Sequence, residues 1–557
     1  MKALYKSKEV YIGSLPLGGS YPVRIQSMTT TGTMDTAATV RQVLSLAAAG
    51  CEMVRITAPG IREAKNLKII RDELKKSGCN IPLIADIHYR PEAALEAARH
   101  VDKIRINPGN YVDRKKNRKS ISDAAFAAEV DRIRERLRPV AEACREYKTA
   151  IRVGVNHGSL SERIILRYGD TPEGMVESAM EFITLLEELD FTDIVISMKA
   201  SNVVVMVEAN RLLAERMQQT GRNYPVHLGV TEAGNGLDGR VKSVTGIGTL
   251  LREGIGDTVR VSLTEPPEAE IPSAAMLASA ANLIRNTGRT EFFEPAPADI
   301  KREKLYNFPV VVSDKKPQGS SEPVADLFFD PLTGNLVDTN DGNAYRPWFA
   351  SSPERLSDEF KQEGARLIVI PVDRIKSHEL FSNLLKESVK RYSGLPVILK
   401  YDFGHLEGEF LWTRAAWLLG APLLAGWGDG LWLSSLKTGQ NELSSLAFSI
   451  LQATRRRISK TEFIACPGCG RTLFDLQETL EQVKKRMGHL KNLKIGVMGC
   501  CVNGPGEMAD ADYGYVGAGK GKVTLYKGKK VLEHNISQEE ALDRLEFWIR
   551  KNNHWND

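Results

Sequence analysis

The sequence predicts an α/β protein in three parts: an N-terminal TIM-type (β/α)₈ barrel, a central α/β insertion and a small C-terminal α+β domain. Three observations predict it. Eight short Val- and Ile-rich runs alternate with helical periodicity through about the first 265 residues, the length and rhythm of a closed parallel barrel. The linker-like FFEPAPADIKREK and the Pro/Gly/Ser-rich DKKPQGSSEP, from Asp314, then break that rhythm. Four of the seven cysteines, Cys466, Cys469, Cys500 and Cys501, crowd into the final stretch.

The eight runs are PVRIQSM from Pro22, EMVRIT from Glu52, PLIADIH from Pro82, KIRINPG from Lys103, AIRVGVN from Ala150, DIVISMK from Asp193, PVHLGVTEAG from Pro225 and DTVRVSL from Asp257. Between the first two, TAATVRQVLSLAAAG places Val40, Val43, Leu44 and Ala47 on one helical face and stops at Gly50. A doubly wound open sheet is the competing arrangement. No G-x-G-x-x-G follows the first run, and Thr245-Gly246-Ile247-Gly248 is too short a signal to stand for one. In the insertion, FPVVVS from Phe308, ARLIVIPVD from Ala365, LPVILKYD from Leu395 and APLLAGW from Ala421 read as buried strands. No metal spacing or nucleophile motif occurs there, so a spacer or interaction role is expected. The boundaries read as 1–290 for the barrel, 291–440 for the insertion and 441–557 for the cysteine domain.

A formal charge of +5 is small for 557 residues, which argues against a nucleic-acid partner. The N-terminal MKALYKSKEVYIGSLPLGG lacks the apolar core of a secretion signal, and no run approaches the ~20 apolar residues that span a bilayer, so a cytoplasmic protein is expected. An odd number of cysteines, three scattered as Cys51, Cys79 and Cys144 and four clustered late, points to metal or redox chemistry rather than a disulfide scaffold.

Barrel sites form at the C-terminal ends of the strands. Those ends are polar here: Arg55, Asp86, His88, Arg105, Asn107, Arg152, Asn156, Lys199, His227, Glu232, Arg260 and Ser262. Four arginines and a lysine converging on one mouth repel each other unless acids or an anion neutralise them, and guanidinium forks suit phosphate oxygens. Any one could pair with Asp86, Glu232 or Asp257, but together the cations outnumber those acids. The glycine-rich run 234–239 lies where barrels often bind phosphate, or is only a flexible loop.

At the C-terminus, Cys466-Pro467-Gly468-Cys469 precedes a helix with Leu473, Leu476, Leu480, Val483 and Met487 on one stripe. A strand, LKIGVM from Leu493, runs into GCCVNGPGE, a turn-rich hairpin surrounds Gly528, and a capping box from Ser537 to Glu540 opens the last helix. Two thiolates three apart reach one metal centre from a tight turn, and a second loop at a strand end supplies more. Adjacent side chains on extended backbone point apart, so one of Cys500 and Cys501 is expected to ligate. An iron-sulfur cluster, a zinc ion and a thiol redox pair all remain open on spacing alone.

With CPGCGRT and GCCVNGPGE in view, the chain resembles the 4-hydroxy-3-methylbut-2-enyl diphosphate synthases of the methylerythritol phosphate route to isoprenoids. The resemblance spans about 400 residues: QSMTTTGTMDTAATV, ADIHYRPEAA, RINPGN, GVNHGSL, SMKAS, HLGVTEAG and GIGDTVRVSL in the barrel, then the cysteine motifs. It implies a 4Fe-4S cluster on three cysteines and one glutamate, which fall on Cys466, Cys469, Cys500 and Glu507. Cys501 after the third of these departs from the family pattern, as does the insertion, which resembles that of a subset including plant and some bacterial enzymes. The implied reaction is two-electron reductive ring opening of 2-C-methyl-D-erythritol 2,4-cyclodiphosphate with loss of water. Arg55, His88, Arg105, Asn107, Arg152, Asn156, Lys199, His227, Arg260 and Ser262 would hold that substrate. Glu232 would donate a proton, and Glu507, a harder ligand than thiolate, would give way on iron to a substrate oxygen. Ferredoxin or flavodoxin is implied as electron donor, and a homodimer stays open. A hydro-lyase using the cluster as Lewis acid and a zinc-stabilised binding protein are the alternatives.

Overall fold

The computed structural model describes residues 5–87, 89–112, 118–298, 306–317, 324–356, 363–392, 394–501, 504–508 and 510–555, with Pro505 and Glu507 described by their backbone alone. The chain forms two compact units: Ala3–Gly239, Leu250–Arg289 and Lys460–Asp557 make one, and Thr290–Ser459 with Arg240–Thr249 belong to the other.

In the first unit eight parallel strands form the barrel: β1 (Arg24–Met28), β2 (Met53–Thr57), β3 (Leu83–Asp86), β4 (Lys103–Ile106), β5 (Ala150–Asn156), β6 (Ile194–Lys199), β7 (His227–Leu228) and β8 (Thr258–Val259). They hydrogen-bond in the order β6-β5-β4-β3-β2-β1-β8-β7. A parallel bridge between Ile196 and Val226, with Ile196 N–H donating to Pro225 O at 2.8 Å, closes the ring between β6 and β7. All eight expected runs therefore carry strands, although the last two hold only two residues each.

The period-two alternation of a strand decides what fills the barrel. Met53, Ile84, Ala150 and Val195 form an apolar floor with Val10, Ile12 and Leu17 of an N-terminal hairpin, strands Val10–Ile12 and Leu15–Leu17. Two residues further along the same strands the inward positions become Arg55, Asp86, Arg152 and Ser197, and Arg105 sits beside Arg152 in register. The first helix spans Thr36–Ala48, capped by the Asp35 carboxylate accepting from Ala38 N–H at 3.0 Å. Its buried stripe is Thr39, Val43 and Leu46, so the expected face through Val40, Leu44 and Ala47 is half-buried flank.

The C-terminal part of this unit is a five-stranded sheet: β17 (Glu462–Ala465), β18 (Lys494–Met498), β19 (Tyr513–Gly519), β20 (Lys522–Lys527) and β21 (Lys530–Ser537) in that order, the first three parallel. Helices Leu476–Met487 and Gln538–Lys551 bury Leu480, Val483, Met487, Leu545 and Ile549 against it. Leu473 stands before the first of these helices and is exposed, outside its expected stripe. Ser537 caps the last helix by accepting from Glu539 N–H at 3.3 Å, one residue short of the capping-box pattern.

The second unit holds a mixed sheet: β9 (Val310–Ser313), β10 (Leu327–Asp330), β11 (Asn335–Asp338), β12 (Ala344–Tyr345), β13 (Pro347–Phe349), β14 (Leu367–Pro371), β15 (Val397–Asp402) and β16 (Gly430–Ser434), ordered β12-β11-β10-β9-β16-β15-β14-β13. One expected strand is corrected. APLLAGW is not extended: Ala421–Leu424 complete the helix Gly408–Leu424, which is buried on nearly all sides from Ala415 onward. A short apolar run does not distinguish such a helix from a buried strand. Helix Gln440–Ala453 packs on β9 and β16, so the unit ends at Ser459 rather than at 440. Among the described residues no helix is long and apolar enough to cross a membrane.

The barrel floor makes a prediction. Ile12→Ala deletes a fully buried side chain from the hairpin plug and should destabilise the barrel by about 2 to 5 kcal/mol. Calorimetry should register this as a lower melting temperature for the transition that exposes barrel amides.

Candidate functional site

One cavity collects the inward barrel positions and the cysteine loops of the same chain. Its walls include Arg55, Asp86, Arg105, Arg152, Asn156, Lys199, Glu232, Arg260 and Ser262 from the barrel, and Cys466, Cys469, Arg471 and Cys500 from the C-terminal sheet. It encloses about 720 Å³ of atom-free space, mouth included, within the range of small-molecule sites.

The cationic side chains reach this space because glycine makes room for them. A Cβ at Gly154 would lie 2.6 Å from Arg105 Nε, and one at Gly229 would lie 2.7 Å from Lys199 Nζ. Arg260 is held by Glu270, with Nε and Nη2 donating to its two oxygens at 3.0 and 2.9 Å, so it has a structural partner. Arg105 Nη1 is 3.4 Å from Asp86 Oδ1, and its Nη2 donates to Gly154 O at 2.9 Å. Arg55 directs Nε and Nη2 at the Met28 sulfur, 3.2 and 3.0 Å away. Arg152 is buried, and among the described residues its Nε and Nη1 meet no hydrogen-bond acceptor.

Among the described residues, six cations in the wall face two carboxylates, Asp86 and Glu232. The energetic mark of this excess is a set of depressed basicities. Burial, then Arg55 and Arg105, push Arg152 well below the ordinary guanidinium value. Burial, then Arg55 and Arg152, do the same to Lys199, and burial lowers Arg55 to about 10. An anion entering the cavity relieves repulsion already built into the fold.

Not every expected substrate contact lies in the wall. Asn107 caps the short helix Pro108–Tyr111, its Oδ1 accepting from Gly109 N–H at 3.1 Å and its Nδ2 donating to Ser159 Oγ at 3.3 Å. His227 is fully buried inside the barrel, with Nδ1 2.7 Å from Thr258 Oγ1. Burial, then Lys199 and Arg152, hold its pKa far below the usual imidazole value, which leaves it neutral. Neither residue is among those that line the cavity. His88 lies outside the described residues. Glu232 lines the cavity in a left-handed backbone conformation, φ 49°, which costs a non-glycine residue about 1 to 2 kcal/mol and marks a position held by its surroundings.

The cysteine loops leave the ends of two adjacent parallel strands, β17 and β18, where parallel sheets gather sites. Gly499 N–H donates to Cys466 Sγ at 3.3 Å, and Thr472 Oγ1 accepts from Cys469 N–H at 3.0 Å. A hydrogen bond from the Cys500 thiol, helped by Arg471, lowers the Cys469 thiol to about 5, and burial raises Cys466 to about 12. Cys501 is exposed and outside the wall. Glu507 closes the helix Gly504–Glu507, whose first residue lines the cavity; its side chain lies outside the description. Three thiols in one wall, one already accepting a backbone N–H, form a soft donor set suited to an iron-sulfur cluster. Among the described residues no three His, Cys, Asp or Glu side chains converge on one ion; a cluster does not ask for that, since each thiolate meets a separate iron.

Arg471 is the residue that sequence reasoning missed. It projects from the loop after Cys469 to within 3.5 Å of Asp86 Oδ2 at the barrel mouth. Burial opposes its charge, but Cys469, Asp86 and Cys500 together raise its pKa. The available signal was its place in CPGCGRT, where a cation beside thiolates balances their charge. The glycine run after β7 serves docking rather than the cavity. Gly234 N–H donates to Ala465 O at 3.3 Å, Ala465 N–H donates to Glu232 O at 3.2 Å, and the Glu265 carboxylate takes the Gly236 N–H at 2.7 Å. Thr264 Oγ1 donates to Cys466 O at 2.8 Å, so the barrel rim holds the backbone of the first cysteine directly.

Residues 7–275 match the GcpE TIM-barrel domain and residues 462–551 the GcpE protein C-terminal domain. A 4-hydroxy-3-methylbut-2-en-1-yl diphosphate synthase (flavodoxin) of Parabacteroides distasonis is 45% identical, over 99% of this chain and 98% of the relative. The enzymes of the same name from Porphyromonas gingivalis and Bacteroides thetaiotaomicron are 44% and 43% identical, over 99% and 98% of this chain and 98% and 97% of their own lengths.

Two outcomes are expected from this geometry. Arg152→Met removes a buried, repelled charge, so the ligand-free melting temperature should not fall, while affinity for an anionic ligand of the cavity should drop about 10- to 150-fold, the equivalent of about 1.5 to 3 kcal/mol. Because barrel and cysteine walls come from one chain, mixing a Cys466→Ser chain with an Arg152→Met chain should restore no activity above that of Arg152→Met alone.

Proposed function

The chain belongs to the GcpE family, the 4-hydroxy-3-methylbut-2-en-1-yl diphosphate synthases, and from that membership and the cavity we propose the reaction it performs. Its substrate is 2-C-methyl-D-erythritol 2,4-cyclodiphosphate. Two electrons and two protons enter, the ring C–O bond to phosphate breaks, the allylic double bond forms, and one water leaves. The observation that carries this reading is the pairing, in one wall, of a cation-rich set of side chains with three thiols.

Arg55, Arg105, Arg152 and Lys199 bind the two phosphates by charge-assisted hydrogen bonds, with Arg471 completing the set from the cysteine side. Arg260, neutralised by Glu270, positions its neighbours rather than contributing net charge. Asn156 and Ser262 supply neutral contacts to hydroxyl or phosphate oxygen. Glu232, whose backbone carbonyl accepts from Ala465 N–H at 3.2 Å, gives up a proton in this reading as the hydroxyl departs. Cys466, Cys469, Cys500 and Glu507 would hold a 4Fe-4S cluster, which when bound supplies the electrons to the C–O bond. The relatives' names specify flavodoxin, and we take a flavodoxin as the donor here, acting in the cytoplasm.

Protein purified without oxygen should be brown and contain about four iron and four sulfide per chain. Ser at Cys466, Cys469 or Cys500 should remove the colour, whereas Cys501→Ser should keep it, since that thiol lies outside the wall. Turnover should require a low-potential reductant; substrate consumption at full rate without one would assign the site to a hydro-lyase instead.

A further inference from the structure

Away from the cavity wall, a second group of polar residues joins the cysteine domain to the barrel rim. His157 follows β5, and its Nδ1 lies 3.2 Å from Asp510 Oδ2. Its Nε2 faces Asp170, 3.2 Å from the carbonyl oxygen and 3.7 Å from Oδ1. Ser201, just beyond β6, donates to the same Asp510 oxygen at 2.8 Å. Lys529 Nζ stands 3.6 Å from Asp170 Oδ2, and Lys494 acts on Asp510 from its own side. An imidazolium donates to both acceptors at once, whereas neutral imidazole donates to one.

A separate contact shows what this group secures. Asp510 comes three residues after Glu507, and a Cβ on Gly506 would lie 2.9 Å from Gly158 O. The peptide after His157 thus abuts the helix Gly504–Glu507 itself.

We propose that His157 and Asp510, joined by Ser201, are positioning residues that seat the Glu507 segment on the barrel rim and keep the cysteine domain closed over the cavity. The importance of seating Glu507 rests on the reaction proposed above; the latch itself rests on the contacts. Burial disfavours the charged imidazole, but Asp510 and then Asp170 outweigh it, so the His157 pKa stands above its ordinary value. A raised folded-state pKa means the ionic contribution is complete below about 6.5 and is lost as pH rises through the raised value.

Hydrogen exchange on the anaerobically prepared full chain tests this without recourse to turnover. The Gly234 and Ala465 amides, bonded across barrel and cysteine domain, report closure, and the amides of β5 report barrel integrity. With intrinsic rates divided out, Asp510→Asn should lower protection of the two closure amides about tenfold below pH 6.5 and leave β5 unchanged. The advantage of wild type over this variant should shrink as pH rises, and His157→Gln should show low, pH-independent protection. Should Asp510→Asn fail to fold, the His157→Gln comparison carries the same decision. Equal closure protection in wild type and variants, parallel loss in β5, or pH dependence persisting in His157→Gln overturns the proposal. An inactive wild type with the expected exchange pattern counts against the proposed reaction and supports the latch.

Discussion

Buried like charge is the constraint on which the rest of the structure depends. A barrel ordinarily fills its interior with layers of branched apolar side chains. Here that packing stops one layer above the floor, and Arg55, Arg105, Arg152 and Lys199 take the inward positions that Val or Ile would hold. The cost is visible in their depressed basicities, and it is offset from several directions. Glu270 neutralises Arg260, Asp86 is shared between Arg105 and Arg471, and the apolar floor keeps the barrel packed below. What is not offset is what an anionic ligand uses. Binding then relieves repulsion as well as forming contacts, so part of the affinity is stored in the ligand-free fold.

The same electrostatics explain the lid. The Cys469 thiolate, held by the loop after β17, brings negative charge to the mouth of a positive barrel, and Arg471 stands beside it with Asp86 on its other side. Docking therefore places opposite charges together at the mouth of the barrel. Short-range contacts fix the register: the Ala233–Ala465 bridge and the Thr264 bond to Cys466 O.

Most of this was legible in the sequence, for identifiable reasons. Strand ends were readable because β-branched runs alternate with helices, and Arg55, Arg105, Arg152 and Lys199 stood out because charge at the end of an apolar run has few structural explanations. Cys500 and Cys501 were separable in kind, since neighbours on extended backbone diverge, and Cys500 is the one in the wall. His227 and Asn107 stand at the expected ends of their strands, and the bonds they make are to neighbours from elsewhere in the barrel, Thr258 and Ser159. The corrected strand and the missed residue have causes too. APLLAGW carried no period at all, because a helix buried on most sides has no polar face to reveal its turn. Arg471 was missed because its partner, Asp86, lies 385 residues away, and no local pattern announces a contact of that span.

That span also bears on how the site is assembled. The insertion leaves the first unit after Arg289 and the chain re-enters it at Lys460, so the barrel and the cysteine sheet belong to one compact unit despite the long excursion. Because that excursion folds as a compact unit of its own, its length is not that of a flexible loop that must be closed. With both on one chain, the meeting of cysteine loops and barrel is intramolecular and independent of how dilute the protein is. Several modest bonds then suffice to hold the lid: the bridge at Ala465, the bond to Cys466 O and the polar group at Asp510. A lid held by modest bonds is also one that can open for substrate, which a cavity walled by both halves of the site requires.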